Sequence, residues 1–432
     1  MNLNKTQLII AGSIGLVIII VVLVLSGVIP GLNTSNDATK IQANLKFWGV
    51  FDTRAAYDTA IASFKIKYPN VSVEYRGFDS VTDYEPALLN ALATGKGPDV
   101  FMIRNNSLPR NMGKMYPLPT TMISLVQLRN LFPQIVEKDL SANGSIYALP
   151  MYIDSLALIY NTDLFNGAAI SGPPKTWEDL QAIIPRLTKS ESGKLVRAAA
   201  AIGGSQKSIG SAPDLLSFLM LQTGTKMVSD DLRAATFASD EGLNSLNFYT
   251  QFSNPRSNVY TWNDDSFSSL RDFSGEKVAM IFDYQSVIPK LKILNPFLSF
   301  SVSDIPQPQG AQKQISYPNY WATGVSRQSK VLNLAADFVV SLAGDVNNAE
   351  SYLKITRRPP ALRQLINKYL NDLDLNVFAK QSLIVKSWPQ IDNAATDKVF
   401  SDMIVSVLSG QDALRVLKEA QELVSGFMQR RL

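Results

Sequence analysis

The sequence predicts an α/β protein of two lobes, preceded by one N-terminal transmembrane helix. Three observations predict it. The chain has 432 residues, too many for one compact unit at roughly 100 to 200 residues per domain. From Asn44 onward short apolar runs alternate with stretches of helical period. Ahead of them, Thr6 to Asn36 contains no charged residue at all.

Within that uncharged stretch, residues 8–29 are almost wholly Ile, Val, Leu, Gly and Ala. As a helix at ~1.5 Å per residue they span about 33 Å, enough to enter the lipid bilayer on one side and leave on the other. A cleaved signal peptide is the rival reading, but its apolar region is usually about 7 to 15 residues and ends in a small-x-small site. Here Ser26-Gly27 is a poor match, so a retained anchor over 1–29 is preferred. Flanking charge, Lys5 on one side and Lys40 and Lys46 on the other, does not decide its orientation. Pro30 to Gln42 is small and polar, a flexible linker.

The folded body begins near Ala43. Asn44 to Val50 reads as a strand, and Thr53 to Tyr68 as a helix with Tyr57, Ile61, Phe64 and Tyr68 on one face. Val71, Val73 and Tyr75 alternate as a second strand. Tyr84 to Ala93 is helical, GKGPD at 95–99 is a turn, and Val100 to Ile103 is a short buried strand. Repeated β-α-β of this kind implies a mostly parallel sheet. Further strands are predicted at 147–152, 156–160, 278–282 and 321–325, and Thr176 with Asp179 marks a helix start by a variant capping box. Beyond Lys330 the pattern is mainly helical, closing in a helix with Leu414, Leu417, Val424 and Phe427 on one face.

Composition narrows the chemistry. There is no Cys and no His, which removes disulfides, thiolate and imidazole metal sites, and Ser-His-Asp or Cys-His nucleophiles. Paired carboxylates, a Ser-Lys pair or a hard-cation oxygen site survive that filter. With 41 Lys plus Arg against 37 Asp plus Glu and no basic block, nucleic acid is not expected as a partner. GGSQKS at 203–208 lacks the GxxxxGK[ST] spacing and is not a phosphate loop.

In an open α/β sheet ligands sit beyond the carboxyl ends of the strands, so the candidates are residues in those loops. Trp48 and Asp52 follow the first strand, and Asn105 and Asn106 the third. Tyr152 and Asp154 lie between two strands. Asp283 and Tyr284 end another, and Tyr320 and Trp321 open the next. Flat aromatic faces with amide, carboxylate and guanidinium groups suit a neutral hydroxyl-rich solute, sugars above all: the ring takes the C–H face and the polar groups bond the hydroxyls. The alternative is that each aromatic packs in a core. Arg357, in the Arg357-Arg358-Pro359-Pro360 tract, and Trp388 are further candidates, with a solvated surface pair as the alternative for the arginines.

Five tracts in order carry a family resemblance: LATGKGPDVFMI at 92–103, YALPMYIDSLALIYNTDLF at 147–165 followed by PPKTWEDL at 173–180, FSGEKVAMIFDY at 273–284, YWATGVSRQSK at 320–330 and LSGQDALRVLKEAQE at 408–422. The chain resembles the bacterial extracellular solute-binding proteins of family 1, the sugar-binding class that serves ABC importers. That resemblance implies a periplasmic-binding-protein-like fold of type II, with hinge strands between the lobes. It implies lobe 1 over 43–153 with part of about 323–366, and lobe 2 over 154–322 with about 367–432. It also implies a solute held between the lobes, no cofactor, no catalysis, and an ABC permease as partner. The loops after Trp48, Ile103 and Phe282, with Tyr152 and the Arg357 region, match those that meet solute in the family. Many relatives carry a lipidated Cys. This chain has none, so an apolar anchor is the natural substitute and places the body outside the membrane. Two other readings stay open at this point: a membrane-tethered carbohydrate-active enzyme with paired carboxylates, and a solute sensor docking on a membrane kinase or adhesin.

Overall fold

The computed structural model describes residues 38–192, 194–265 and 268–429. The expected anchor, 8–29, lies outside the described residues, and among those described no helix is long and apolar enough to cross a membrane.

Alternation dictates the first sheet. In the strand Ala43–Val50, Leu45 and Phe47 are buried while Asn44 and Lys46 are exposed, so one face seeks a helical cover. Cover comes from Asp58–Lys67, which buries Phe64, and from Leu332–Gly344, whose Phe338 meets both Phe47 and Phe64 edge to face. The sheet order is Val71–Phe78, Ala43–Val50, Val100–Arg104, Trp321–Ser326 and Met115–Tyr116, with Ala148–Pro150 also paired to Trp321–Ser326. Its first three strands pair parallel, and Met115–Tyr116 and Ala148–Pro150 run in the same direction as they do. Trp321–Ser326 runs antiparallel to each of its neighbours, the one reversed strand in a sheet whose other strands share the direction that repeated β-α-β predicts. The reason is topological: Trp321–Ser326 enters from the other lobe instead of from a covering helix.

A second sheet has the order Lys189–Glu191, Lys194–Ala201, Val278–Asp283, Ala157–Asn161 and Phe300–Ser303. Lys194–Ala201 and Val278–Asp283 are parallel; the other pairings are antiparallel. Thr176 and Asp179 form the predicted reciprocal cap of the helix Trp177–Leu187, which buries Trp177, Leu180, Ile184 and Leu187.

Each sheet has its own core, and the molecule is therefore two lobes. One core runs from Leu45 to Ile153 and resumes at Tyr320; the other runs from Leu156 to Tyr317 and takes in residues from Trp388 to Val424. The chain passes between them at Asp154–Ser155 and returns at Pro318–Asn319, and these two segments pair antiparallel. A third segment lies alongside, with Lys386 N donating to Ser316 O at 2.9 Å. The closing helix Ala413–Gln429 buries Val416, Leu417, Ala420, Val424 and Met428, while Leu414 is exposed in its first turn. Its apolar stripe is thus rotated from the one predicted.

Candidate functional site

The carboxyl end of the first sheet faces the second lobe where the chain crosses. Arg104 ends the strand Val100–Arg104, and its guanidinium reaches Asp214 at 3.4 Å and Asp397 at 3.3 Å, both on helices of the second lobe. Two residues on, Asn106 accepts a hydrogen bond from Asn393 Nδ2 at 2.6 Å, and its backbone carbonyl accepts one from Gln390 N at 2.9 Å. The lobes are in direct polar contact. Beside this contact a cavity of about 20 Å³ is lined by Tyr84, Glu85, Met102, Arg104, Arg110 and Trp321. That is the space of roughly one water.

Most of the sequence-predicted residues converge on this crossing. Asn105 Nδ2 and Tyr320 Oη each donate to Asp139 Oδ2 at 2.9 Å, and Ser387 Oγ donates to its other oxygen. Burial pushes the Asp139 carboxyl up to about 6, against those three hydrogen bonds. Asp154 accepts from the backbone N–H groups of Ser155, Gln285 and Ser286 at 2.8, 2.9 and 3.1 Å, pinning the first crossing to the tract after Val278–Asp283. Desolvation nevertheless raises it to about 6. Half-buried Asp283 is pushed up to about 7 by burial, with Asp154 and Asp214 adding to the effect. Tyr284 Oη donates to Asp214 at 2.7 Å, so it braces the carboxylate that Arg104 reaches.

The aromatic candidates form a chain of ring contacts rather than separate platforms. Trp48 meets Phe78, Phe78 meets Tyr84, Tyr84 meets Trp321, and Trp321 meets Phe51, at centroid distances of 5.4, 5.3, 5.8 and 6.0 Å. Trp321 itself is only 4% exposed, whereas Phe51 is 48% exposed. Trp48 is half-buried with the Arg76 guanidinium 4.6 Å above its ring.

Three candidates are placed differently from the expectation. Asp52 is fully committed: Arg358 lies 2.9 Å from one carboxylate oxygen, and Tyr57 and Tyr352 hydroxyls donate to the other at 2.9 and 2.8 Å. Arg357 points to solvent and pairs with Asp374 and Asp372 at 3.4 and 3.7 Å. Trp388 packs on Phe400 inside the second core, its indole N–H without a hydrogen-bond partner among the described residues.

A family model described as bacterial extracellular solute-binding protein matches residues 59–368. The chain belongs to that family. Among curated relatives this solute-binding protein is 27% identical over 111 residues to the maltotriose-binding protein of Pyrococcus abyssi. That alignment takes in 25% of this chain and 23% of the relative, so it spans about a quarter of the relative's length. Two solved structures share its fold over nearly their full length. An ABC transporter solute-binding protein from Thermotoga lettingae, bound with α-D-tagatose, is 23% identical with a TM-score of 0.65, over 90% of this chain and 100% of that one. The cyclic α-maltosyl-1,6-maltose binding protein from Arthrobacter globiformis is 16% identical with a TM-score of 0.75, over 90% and 100%.

Sequence reasoning passed over Arg358, Asp139, Asp214 and Asp397 in this solute-binding protein. For Arg358 a signal existed. Arg357 caps the helix Val346–Thr356 in the left-handed region (φ 55°), which turns its side chain outward, and the residue before Pro359 is held extended. Asp139, Asp214 and Asp397 have no local signal, because each meets its partner over 34 or more residues of sequence.

Proposed function

We propose that this chain captures a sugar or short oligosaccharide outside the cytoplasmic membrane and passes it, chemically unchanged, to an ABC permease. The observation that carries the reading is Arg104 reaching across to Asp214 and Asp397 beside the Trp321 aromatic chain. Polar groups that bond one another when the lobes touch are the groups that bond hydroxyls when a solute lies between them. The relatives that bind maltotriose, tagatose and cyclic maltosyl-maltose support the solute class.

In this reading the paired segments Asp154–Ser155 and Pro318–Asn319 are the hinge of a type II fold. Lobe 1 is 43–153 with part of about 323–366, and lobe 2 is 154–322 with about 367–432. A solute enters as the lobes part, and closure draws its driving force from tighter binding in the closed form. The apolar run 8–29 tethers the body to the membrane through the 30–42 linker, which keeps it concentrated near its permease. No covalent step is required.

A thermal-shift panel on the full chain in detergent, across maltotriose, mannotriose, tagatose, polyamines and sugar phosphates, tests the reading. A ligand bound only by the folded form adds about 2.7 kcal/mol of apparent stability at ~100 times its dissociation constant. Stabilisation by a neutral sugar that is recovered intact is expected. Hydrolysis of the sugar, or a response to polyamines or phosphates alone, would sink the proposal.

A further inference from the structure

We propose that Phe51 selects the solute, and that the buried Asp52–Arg358 pair exists to hold Phe51 in place. The inference rests on the solute-binding reading and assigns two residues within that site: one a specificity determinant, the other a positioning residue.

Phe51 combines two features that a folded chain does not keep without a reason. Its backbone is left-handed (φ 71°), a region that bulky L residues avoid. The residue is 48% exposed, although its ring already meets Trp321 in the same lobe. The ring stands edge-on to Trp321, at an interplanar angle of 82° and 6.0 Å between centroids. It is thus the exposed end of the aromatic chain that runs from Trp48 to the chain crossing. Trp321 is buried and cannot offer its own face, so Phe51 is the most exposed member of that chain and the one next to the crossing strand.

The surroundings over-determine this geometry. Phe51 N donates to Phe78 O at 2.7 Å. The next residue, Asp52, is held by Arg358, Tyr57 and Tyr352 through its carboxylate, and by Tyr75 Oη, which donates to its carbonyl at 2.8 Å. Arg358 in turn lies 4.2 Å over the Tyr152 ring, next to the first crossing. The neighbouring strand leaves no slack, since a Cβ at Gly77 would come within 2.8 Å of the Asp52 carbonyl oxygen. A strained residue persists only where its neighbours enforce it, and such sites cluster at ligand clamps. Both carboxylate oxygens and the carbonyl oxygen of Asp52 are taken up by this network, so its work is to position Phe51 and not to touch solute.

The test measures affinity for maltotriose, mannotriose and tagatose by calorimetry on the full chain. Phe51→Asn accepts the left-handed backbone while deleting the ring. It is expected to leave the melting temperature of the solute-free chain unchanged or higher and to lower affinity by about tenfold or more, whereas Phe51→Tyr stays within roughly threefold of wild type. Asp52→Asn is expected to lower affinity by about tenfold in the wild-type background and by less than about twofold in the Phe51→Asn background, as coupled residues do. Should Asp52→Asn fail to fold, Tyr352→Phe removes one donor to Asp52 and is expected to show the same dependence on background at smaller size. Wild-type affinity in Phe51→Asn overturns the platform. Equal losses in both backgrounds overturn the positioning role. If the wild-type chain binds none of the three sugars, the solute-binding reading falls and takes the inference with it.

Discussion

Arg104 of the first lobe and Asp214 of the second meet at 3.4 Å, with Asp397 at 3.3 Å on the other arm of the guanidinium. All three side chains are mostly withdrawn from water, so their mutual attraction has to offset the desolvation of three charges. Burial pushes Asp397 up to about 6 and raises Asp214, and the Arg104 charge works against both shifts. Removing Arg104 leaves two carboxylates of the second lobe side by side without their counter-charge, at a seam that can part. Opening rehydrates them; unfolding is not needed. Arg104→Met is therefore expected to enlarge the radius of gyration of the solute-free protein in small-angle scattering, with a shift in melting temperature no larger than about 4 °C. An unchanged radius would show that this contact does not hold the lobes together.

Asp283 makes stability depend on pH. Its carboxyl is raised to about 7 first by burial, with Asp154 and Asp214 pushing the same way, against a hydrogen bond from Tyr284 N and the charge of Lys290. Asp154 and Asp139 are raised to about 6 for the same leading reason. Unfolded, an aspartate titrates near ~3.9. Between that value and the folded one the native state binds more protons than the unfolded chain, so stability falls as pH rises. The contribution is fully present below about 4 and is lost as pH passes through 6 to 7. Thermal denaturation at constant ionic strength is expected to give a lower melting temperature at pH 7.5 than at pH 5, with a shallower slope in Asp283→Asn. A slope of opposite sign, or one unaffected by the substitution, would contradict the assignment.

Much of the first lobe was legible because its signals are local. Val71 and Val73 alternate with exposed residues, Phe64 falls on the predicted helix face, and Gly95 occupies the turn with φ 70°. The capping box at Thr176 was likewise readable from four residues. The orientation of Trp321–Ser326 was not, since its pairing with Val100–Arg104 joins segments more than 200 residues apart and nothing in either reports direction. The same limit applies to the candidate site. Tract composition placed Asn105, Tyr152, Asp154, Asp283, Tyr284, Tyr320 and Trp321 in loops at the ends of separate strands. It did not reveal that their polar groups are largely spent on each other and on Asp139 and Asp214. Nor did it separate exposed Phe51 from buried Trp321, because exposure depends on what the folded neighbours leave uncovered.

Arg357 and Arg358 are adjacent in sequence and opposite in role, and substitution should separate them. Arg357 has a side chain 52% exposed, pairs at the surface with Asp372 and Asp374, and sits at φ 55°. Exposed pairs of that kind contribute at most about 1 kcal/mol. Glycine relieves the left-handed backbone, so Arg357→Gly is expected to stay within about 1 kcal/mol of wild type. Arg358 is 14% exposed at its side chain and faces Asp52 at 2.9 Å. Arg358→Met strands the buried Asp52 carboxylate with only tyrosine donors and removes the cation over Tyr152, a loss on the order of 3 to 5 kcal/mol. Urea denaturation of the two variants beside wild type checks the contrast. Equal stabilities would mean that Arg358 is no more enclosed in solution than its neighbour, and that Asp52 finds its counter-charge elsewhere.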